Sequence, residues 1–358
     1  MNEDAGDAPD DRDGSPPLAG MDVDDAVEAV VSADQGRERE GARETLSYVS
    51  EGGVVTEAAV EDATARVSKA VATPETRVEL AEIALETARE DAAPVRDLAV
   101  VAARLDDYAV ELDRLRDRLE AVQAALRDLV DRADDPDSLY GFGRECRDVT
   151  ERANALQQAA DDLKFELEAE FDQWLSNPAT RATHLVGDVD AVEAMCDELT
   201  GIAEALDDAD EGETPTLPGG ETVADPAVVW FDAALRVRLA GLLLADLRAE
   251  LADLRTWADR EAEERPDDAA GAGAKADDPG GTDADALVDV ESRLDSLDVR
   301  TSGLEDWLAA LAKPAWRRRF GDRVATFEHA VSDRRPPVDW SAVQATLEDH
   351  RSAALDAD

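Results

Sequence analysis

Residues Leu98 to Leu129, LAVVAARLDDYAVELDRLRDRLEAVQAALRDL, decide the fold. Leu98, Leu105, Leu112, Leu119 and Leu126 recur every seven residues, and Val101, Tyr108, Leu115, Val122 and Leu129 follow three positions later in the same register. Five consecutive heptads with both inward positions filled specify a long helix whose apolar stripe must be covered by another helix. The spacing predicts one helix from Val95 to Ala133, about 58 Å long at 1.5 Å per residue. Asp134-Asp135-Pro136-Asp137 breaks it, and Gly141-Phe142-Gly143 reads as part of the turn that follows.

Beyond the turn the pattern resumes. Cys146, Ala153, Ala160, Leu167 and Trp174 form a second seven-residue row, joined by Val149, Leu156 and Leu163, in a helix expected to run to about Ser176. A short connector between matching helices favours an antiparallel hairpin. Asn177-Pro178 restarts the chain as a third helix carrying Leu185, Val192, Leu199 and Leu206, with Val189, Met195 and Ile202 beside them. The fold class read from this is all-α: an elongated antiparallel coiled-coil helical bundle over 94–206, with a small N-terminal helical module and a C-terminal helical region.

The N-terminal module spans 21–93 after a disordered acidic tail, 1–20. Four helices fit it best. Glu51-Gly52-Gly53 ends one of them, Val54-Val55 is too short for a strand, Thr56-Glu57 caps the next helix, and Thr73-Pro74-Glu75 starts another, with proline at the first helical position. On the C-terminal side, 207–225 reads as an acidic linker and 226–264 as a long helix with Trp230, Val237, Leu244 and Leu251 in heptad register. A disordered linker follows at 265–283, then a helical region at 284–358.

The charge is extreme. The 358 residues carry 86 Asp and Glu against 37 Lys and Arg, a formal net charge of -49, and only four of the cations are lysines (Lys69, Lys164, Lys275, Lys313). In dilute solution such a charge repels itself, but near molar salt the Debye length falls to about 3 Å and the repulsion is screened. The composition therefore describes a protein of the cytoplasm of a salt-accumulating halophile. It argues against nucleic-acid or anionic-membrane partners, which require clustered positive charge. The most apolar stretch, Leu239 to Ala245, is far short of the roughly 20 residues of a membrane span. The N-terminal residues have no basic and apolar leader pattern.

No catalytic, cofactor or metal motif is present: no HExxH, no phosphate loop, and no ligand spacing among His184, His329 and His350 or between Cys146 and Cys196. Paired carboxylates such as Asp106-Asp107 read as solvated helix faces. The one local reversal of charge is Lys313-Pro314-Ala315-Trp316-Arg317-Arg318-Arg319-Phe320, with Arg323 one turn on. This cluster is either a phosphate, nucleic-acid or acidic-partner site or a set of cations paired with the chain's own carboxylates. Trp307, Trp316, Trp340, Phe320 and Phe327 gather the scarce aromatics near it, as a small core or as an exposed patch for a partner helix.

The segments Met21-Asp22-Val23-Asp24-Asp25-Ala26-Val27, GGVVT at 52–56, TPETRVELA at 73–81 and NALQQAADDL at 154–163 resemble haloarchaeal halo transducer (HTR-like) proteins, chiefly over 21–175. The resemblance implies similarity to the cytoplasmic helical hairpins of methyl-accepting transducers, which relay light or chemical signals. Gln157-Gln158-Ala159-Ala160 looks like the methylation segment of such a hairpin. The membrane helices, linker module and hairpin tip of the transducers have no counterpart here. The function expected is that of a non-enzymatic structural or interaction protein, binding a protein partner or itself through its helices. The alternatives are a soluble signal-transduction component and an anion-binding role for the Lys313 to Arg323 cluster.

Overall fold

The computed structural model describes residues 18–34, 36–133, 138–209, 217, 225–264 and 279–355, and among them helix dominates. They form two compact units, Met1–Asp91 with Leu105–Asp172, and Ala92–Arg104 with Gln173–Asp358. The breaks expected at 134–137 and across most of both linkers lie outside the described residues.

In the first unit, α1 (Val23–Ala33) is capped by Asp22, whose carboxylate accepts from Asp24 N at 3.0 Å. After α2 (Arg39–Tyr48), strands β1 (Ser50–Glu51) and β2 (Val54–Val55) form a minimal antiparallel ladder. Here the sequence expectation is corrected: Val54-Val55 is a strand. Gly52 and Gly53 both adopt positive φ, +58° and +87°, which closes a two-residue turn that a side chain would strain. The short strand survives because it has partners on both sides. Val55 N donates to Met21 O at 2.9 Å, and Gly20 N donates to Val55 O at 2.8 Å. Leu18 to Gly20 thus belong to the module rather than to a disordered tail, and Leu18 is buried.

Thr56 accepts from Ala59 N at 3.2 Å at the start of α3 (Ala59–Asp91). The helix start expected at Thr73-Pro74 does not occur, because α3 runs through Pro74 without interruption. Proline there removes one backbone hydrogen bond. Val67, Val71, Val78, Ala81 and Leu85 are buried on both sides of it, so a single apolar face holds the two halves in line. The module therefore has three helices and a hairpin, not four helices.

A turn of 3-10 helix at Ala93–Val95 precedes α4 (Ala99–Asp131), which begins four residues later than the expected Val95. The next helix, α5 (Leu139–Phe165), starts four residues before Gly143, with the Ser138 hydroxyl accepting from Gly141 N at 2.9 Å. Gly141-Phe142-Gly143 is therefore helical, not a turn. α3 packs on α5 in parallel: Arg77 meets Asp161, and Val60 to Val71 share a cluster with Phe142 to Ala153. Small buried residues (Ala63, Ala81, Ala84, Cys146, Ala153, Ala160) allow their backbones to come close. α4 runs antiparallel to both, with Val122 and Leu129 in that same cluster, Arg116 on Glu82, and Tyr108 edge-on to Phe171 at 5.7 Å. The hairpin expectation placed the helix at 179–206 beside these two, but α3 occupies that role.

The second helix of the expected hairpin carries one more correction. Glu166–Phe171 is a π-helical segment before α6 (Asp172–Ser176). The heptad places Glu170 inward, yet Phe171 is the buried residue. The wider turn carries Phe171, one residue past the heptad position, into the core.

In the second unit, α7 (Pro178–Asp208) and α9 (Pro279–Leu311) are parallel: Arg293 reaches Asp190 and Glu193, and Arg300 reaches Asp197 at 2.6 Å. α9 begins inside the segment expected to be a linker up to 283. α8 (Pro226–Glu264) packs on both and runs antiparallel to them, with Arg236 on Glu198 and Arg255 on Glu291 at 2.8 Å. Phe231, Ala233, Ala234, Leu235 and Val237 are all buried, so this stretch of α8 is covered over most of its circumference. α10 (Pro314–Ser332) and α11 (Trp340–Leu355) complete the unit. Asn177 and Asp225 cap α7 and α8 directly ahead of prolines, accepting from Ala179 N at 3.0 Å and Ala227 N at 2.9 Å.

Gly143 marks the closest approach of α2 to α5, since a Cβ there would lie 2.6 Å from the Thr45 carbonyl oxygen. Gly143→Ala should lower unfolding stability by about 1–3 kcal/mol through overpacking. Gly187→Ala, in open space on α7, should raise it by about 0.5–1 kcal/mol through helix propensity. Thermal melts of both variants in concentrated KCl check the pair, and equal shifts would contradict the packing described.

Candidate functional site

The ten heptad residues are committed to packing. Leu98, Val101, Leu105, Leu112, Leu115, Val122 and Leu129 are buried, and Tyr108, Leu119 and Leu126 are half-buried. Leu98 and Val101 fall in the second unit and the other eight in the first, so the unit boundary crosses an unbroken sequence pattern.

The basic cluster does not form one surface. Successive side chains on a helix diverge by about 100°, and the three consecutive arginines separate accordingly. The Arg317 guanidinium donates to Ala309 O at 2.7 Å, Arg319 pairs with Asp225, and Arg318 is exposed. Lys313 lies over the Trp316 ring at 5.2 Å, and Arg323 is half-buried on the inner side of α10. The nearby aromatics pack inward: Phe320 stacks on Phe231 at 4.8 Å, Trp316 lies 6.3 Å from Trp230, and Phe327 meets His350 edge-on. Trp307 is half-buried.

A second constellation of charge and aromatic rings lies elsewhere in the same unit. One face of α8, built from Glu250, Asp253, Trp257 and Arg260, holds residues 97–104. Arg260 clasps Asp97 with two hydrogen bonds (2.8 and 2.6 Å), and Asp253 accepts from Val100 N at 2.8 Å, supplying the cap that α4 lacks locally. Arg104 reaches Glu250 at 3.4 Å while lying over the Trp174 ring at 4.3 Å. Trp174 and Trp257 meet edge-on at 5.5 Å, and the guanidinium of buried Arg181 covers Trp257 at 3.8 Å. Arg181 also donates to Leu175 O at 2.9 Å and to Glu261 at 2.6 Å. Two indole faces are thus filled by the chain's own cations, an arrangement that desolvates guanidinium groups with little loss.

Burial holds the Glu250 carboxyl above its ordinary range against the attraction of Arg104, and Asp188 and Asp246 push the same way. Hydrogen bonding to Arg260 holds Asp97 below the usual carboxylate range. Neither group faces a nucleophile or a ligand set. The Cys146 thiol is pushed up to about 12, mainly by burial, and is inert as a nucleophile near neutrality. Cys196 is buried 3.6 Å from the Thr301 hydroxyl. His184, His329 and His350 stand on three different helices, and among the described residues no group of three His, Cys, Asp or Glu is placed to hold a metal ion. Asp106 and Asp107 are exposed. No described helix is long and apolar enough to cross a membrane.

Sequence reading missed this cluster because its members are up to 163 positions apart, as Asp97 and Arg260 are. The one local signal is Trp257 standing between Arg255 and Arg260 in a protein poor in aromatics. Comparison with protein-family models, with curated proteins and with solved structures returns no match.

The folded chain binds the Glu250 proton more tightly than the unfolded chain does. The stability it contributes is therefore full below the ordinary carboxyl range, about pH 4.3, and is lost as pH rises through the raised value. In concentrated KCl the melting midpoint should fall, as pH rises above the ordinary carboxyl range, more steeply for the unaltered chain than for Glu250→Gln. Identical slopes would contradict the burial assigned to Glu250.

Proposed function

We propose that this chain is a non-enzymatic helical interaction protein of a salt-rich cytoplasm, with its heptad helices closing within one chain in coiled-coil fashion. The observation that carries the reading is where the cations are placed. Arg116, Arg132, Arg236, Arg248, Arg255, Arg293 and Arg300 all bridge to carboxylates on a neighbouring helix. Many of the other described carboxylates, among them Asp106, Asp107, Asp113 and Glu120, are exposed, which suits a chain of net charge -49 to molar salt.

Burial of seven of the ten heptad side chains within a single chain supports closure without a second copy. The dispersal of Arg317, Arg318 and Arg319 weighs against the anion-binding alternative.

Light scattering after size-exclusion chromatography in about 3 M KCl should give the mass of one chain, 38.4 kDa. A chain crosslinked in the cells that make it should yield a complex of defined stoichiometry with another protein. A concentration-independent dimer would overturn closure within one chain, and recovery of the chain alone after crosslinking would overturn the interaction reading.

A further inference from the structure

Polar contacts to α8 hold α11 at both of its ends. Asp339 caps it by accepting from Ala342 N at 2.9 Å. At one end Asp246 of α8 accepts from Val338 N at 3.1 Å and from the Trp340 indole at 2.8 Å. At the other end Arg351 pairs with Asp232 of α8 at 2.6 Å. Asp246 and Asp232 are 14 positions apart on one helix, and Trp340 and Arg351 are 11 apart on the other. At 1.5 Å per residue these spans are about 21 and 17 Å, so α11 lies antiparallel along α8 with an acidic anchor at each end.

Between the anchors the apolar contribution is small. Of the side chains described on this sixteen-residue helix only Val343 and Leu347 are buried, and His350 rests edge-on against Phe327 of α10 at 5.5 Å. Two buried aliphatic groups offset only part of the entropy of ordering this helix, whereas on α8 Phe231, Ala233, Ala234, Leu235 and Val237 are all buried within seven residues. The anchors are also half-exposed, with Arg351 at 40% and Asp232 at 35% side-chain exposure, so water and salt compete for them.

From this geometry we infer that α11 is a displaceable strap and that the site beneath it, between Asp246 and Asp232 of α8 and beside Phe327 of α10, is the docking surface for a partner's amphipathic helix. The partner's chemistry is set by what α11 presents: a hydrogen-bond-donating aromatic, aliphatic residues three and seven positions later, and a cation at position eleven, as in Trp340, Val343, Leu347 and Arg351. A helix of that pattern replaces α11 contact for contact, and its cationic end suits a protein whose surface is otherwise acidic. This rests on the interaction reading above and names the surface it uses.

The test uses the full-length chain carrying Trp340→Ala and Arg351→Ala, which weakens the strap while leaving Asp232, Asp246 and Phe327 intact. The probe is a fluorescein-labelled peptide of residues 338–355, followed by anisotropy in about 3 M KCl. Saturable binding to the double variant, at least tenfold tighter than to the unaltered chain, is the result expected. Hydrogen exchange on the unaltered chain supplies a second measurement, in which α11 amides should exchange at least tenfold faster than those of α8. A folded variant that does not bind the peptide, or α11 amides protected as well as those of α8, would overturn the inference. Because the peptide is the chain's own sequence, its binding is read without any partner. Peptide binding with no crosslinked complex would leave α11 displaceable but refute both the interaction reading and a partner's use of this surface, and the reverse pattern would refute the strap alone.

Discussion

The constraint on this fold is an excess of carboxylates over cations, 86 to 37, which its helices must pack against. With so few positive charges to distribute, their placement is informative. The long helices of the second unit are bridged at Arg236–Glu198, Arg248–Asp295, Arg255–Glu291 and Arg293–Glu193, and those of the first at Arg77–Asp161 and Arg116–Glu82. Each such pair adds at most about 1 kcal/mol at a solvated surface. Their larger contribution is to set helix register and to remove like-charge repulsion along the lines where helices must approach. Arginine suits this task better than lysine, because its planar fork holds a carboxylate with two bonds and its charge is weakly hydrated.

Side-chain size governs how closely the helices pack beneath those seams. α3 and α5 meet through alanines and Cys146, while α4 covers them with leucines. Gly143 extends the same logic to the contact of α5 with α2, where no Cβ fits. In the second unit α8 is the element on which the others lie, and its polar groups serve as anchors: Asp225 for α10, Asp232 and Asp246 for α11, and Glu250, Asp253 and Arg260 for residues 97–104.

The sequence made some of this legible. The row Leu98 to Leu129 is a buried helix stripe, and the X-Pro starts at Asn177-Pro178 and Asp225-Pro226 act through short-range capping that needs no tertiary information. Where local signals were overruled, the cause is tertiary. Thr73-Pro74 has the form of a helix start, but the apolar face on both sides of it favours continuity. Val54-Val55 looked too short to be a strand because its second neighbour, Met21, is distant in sequence. The π-helical turn is visible only as Glu170 standing where the heptad calls for an apolar residue, with Phe171 beside it. The Arg104, Arg181, Trp174 and Trp257 cluster depends on contacts between remote segments, and no periodicity encodes it. The consecutive arginines at 317–319 read as a patch in sequence, but helical geometry disperses them.

Salt dependence of folding tests the central claim most directly. Helical circular dichroism and the unfolding midpoint should be followed as KCl is raised from about 0.1 to 3 M, a range over which the Debye length falls from about 10 Å to below 3 Å. If the carboxylate excess governs this fold, helix content and midpoint rise together with KCl through one cooperative transition. A chain that is fully helical and equally stable at 0.1 M KCl would contradict the account.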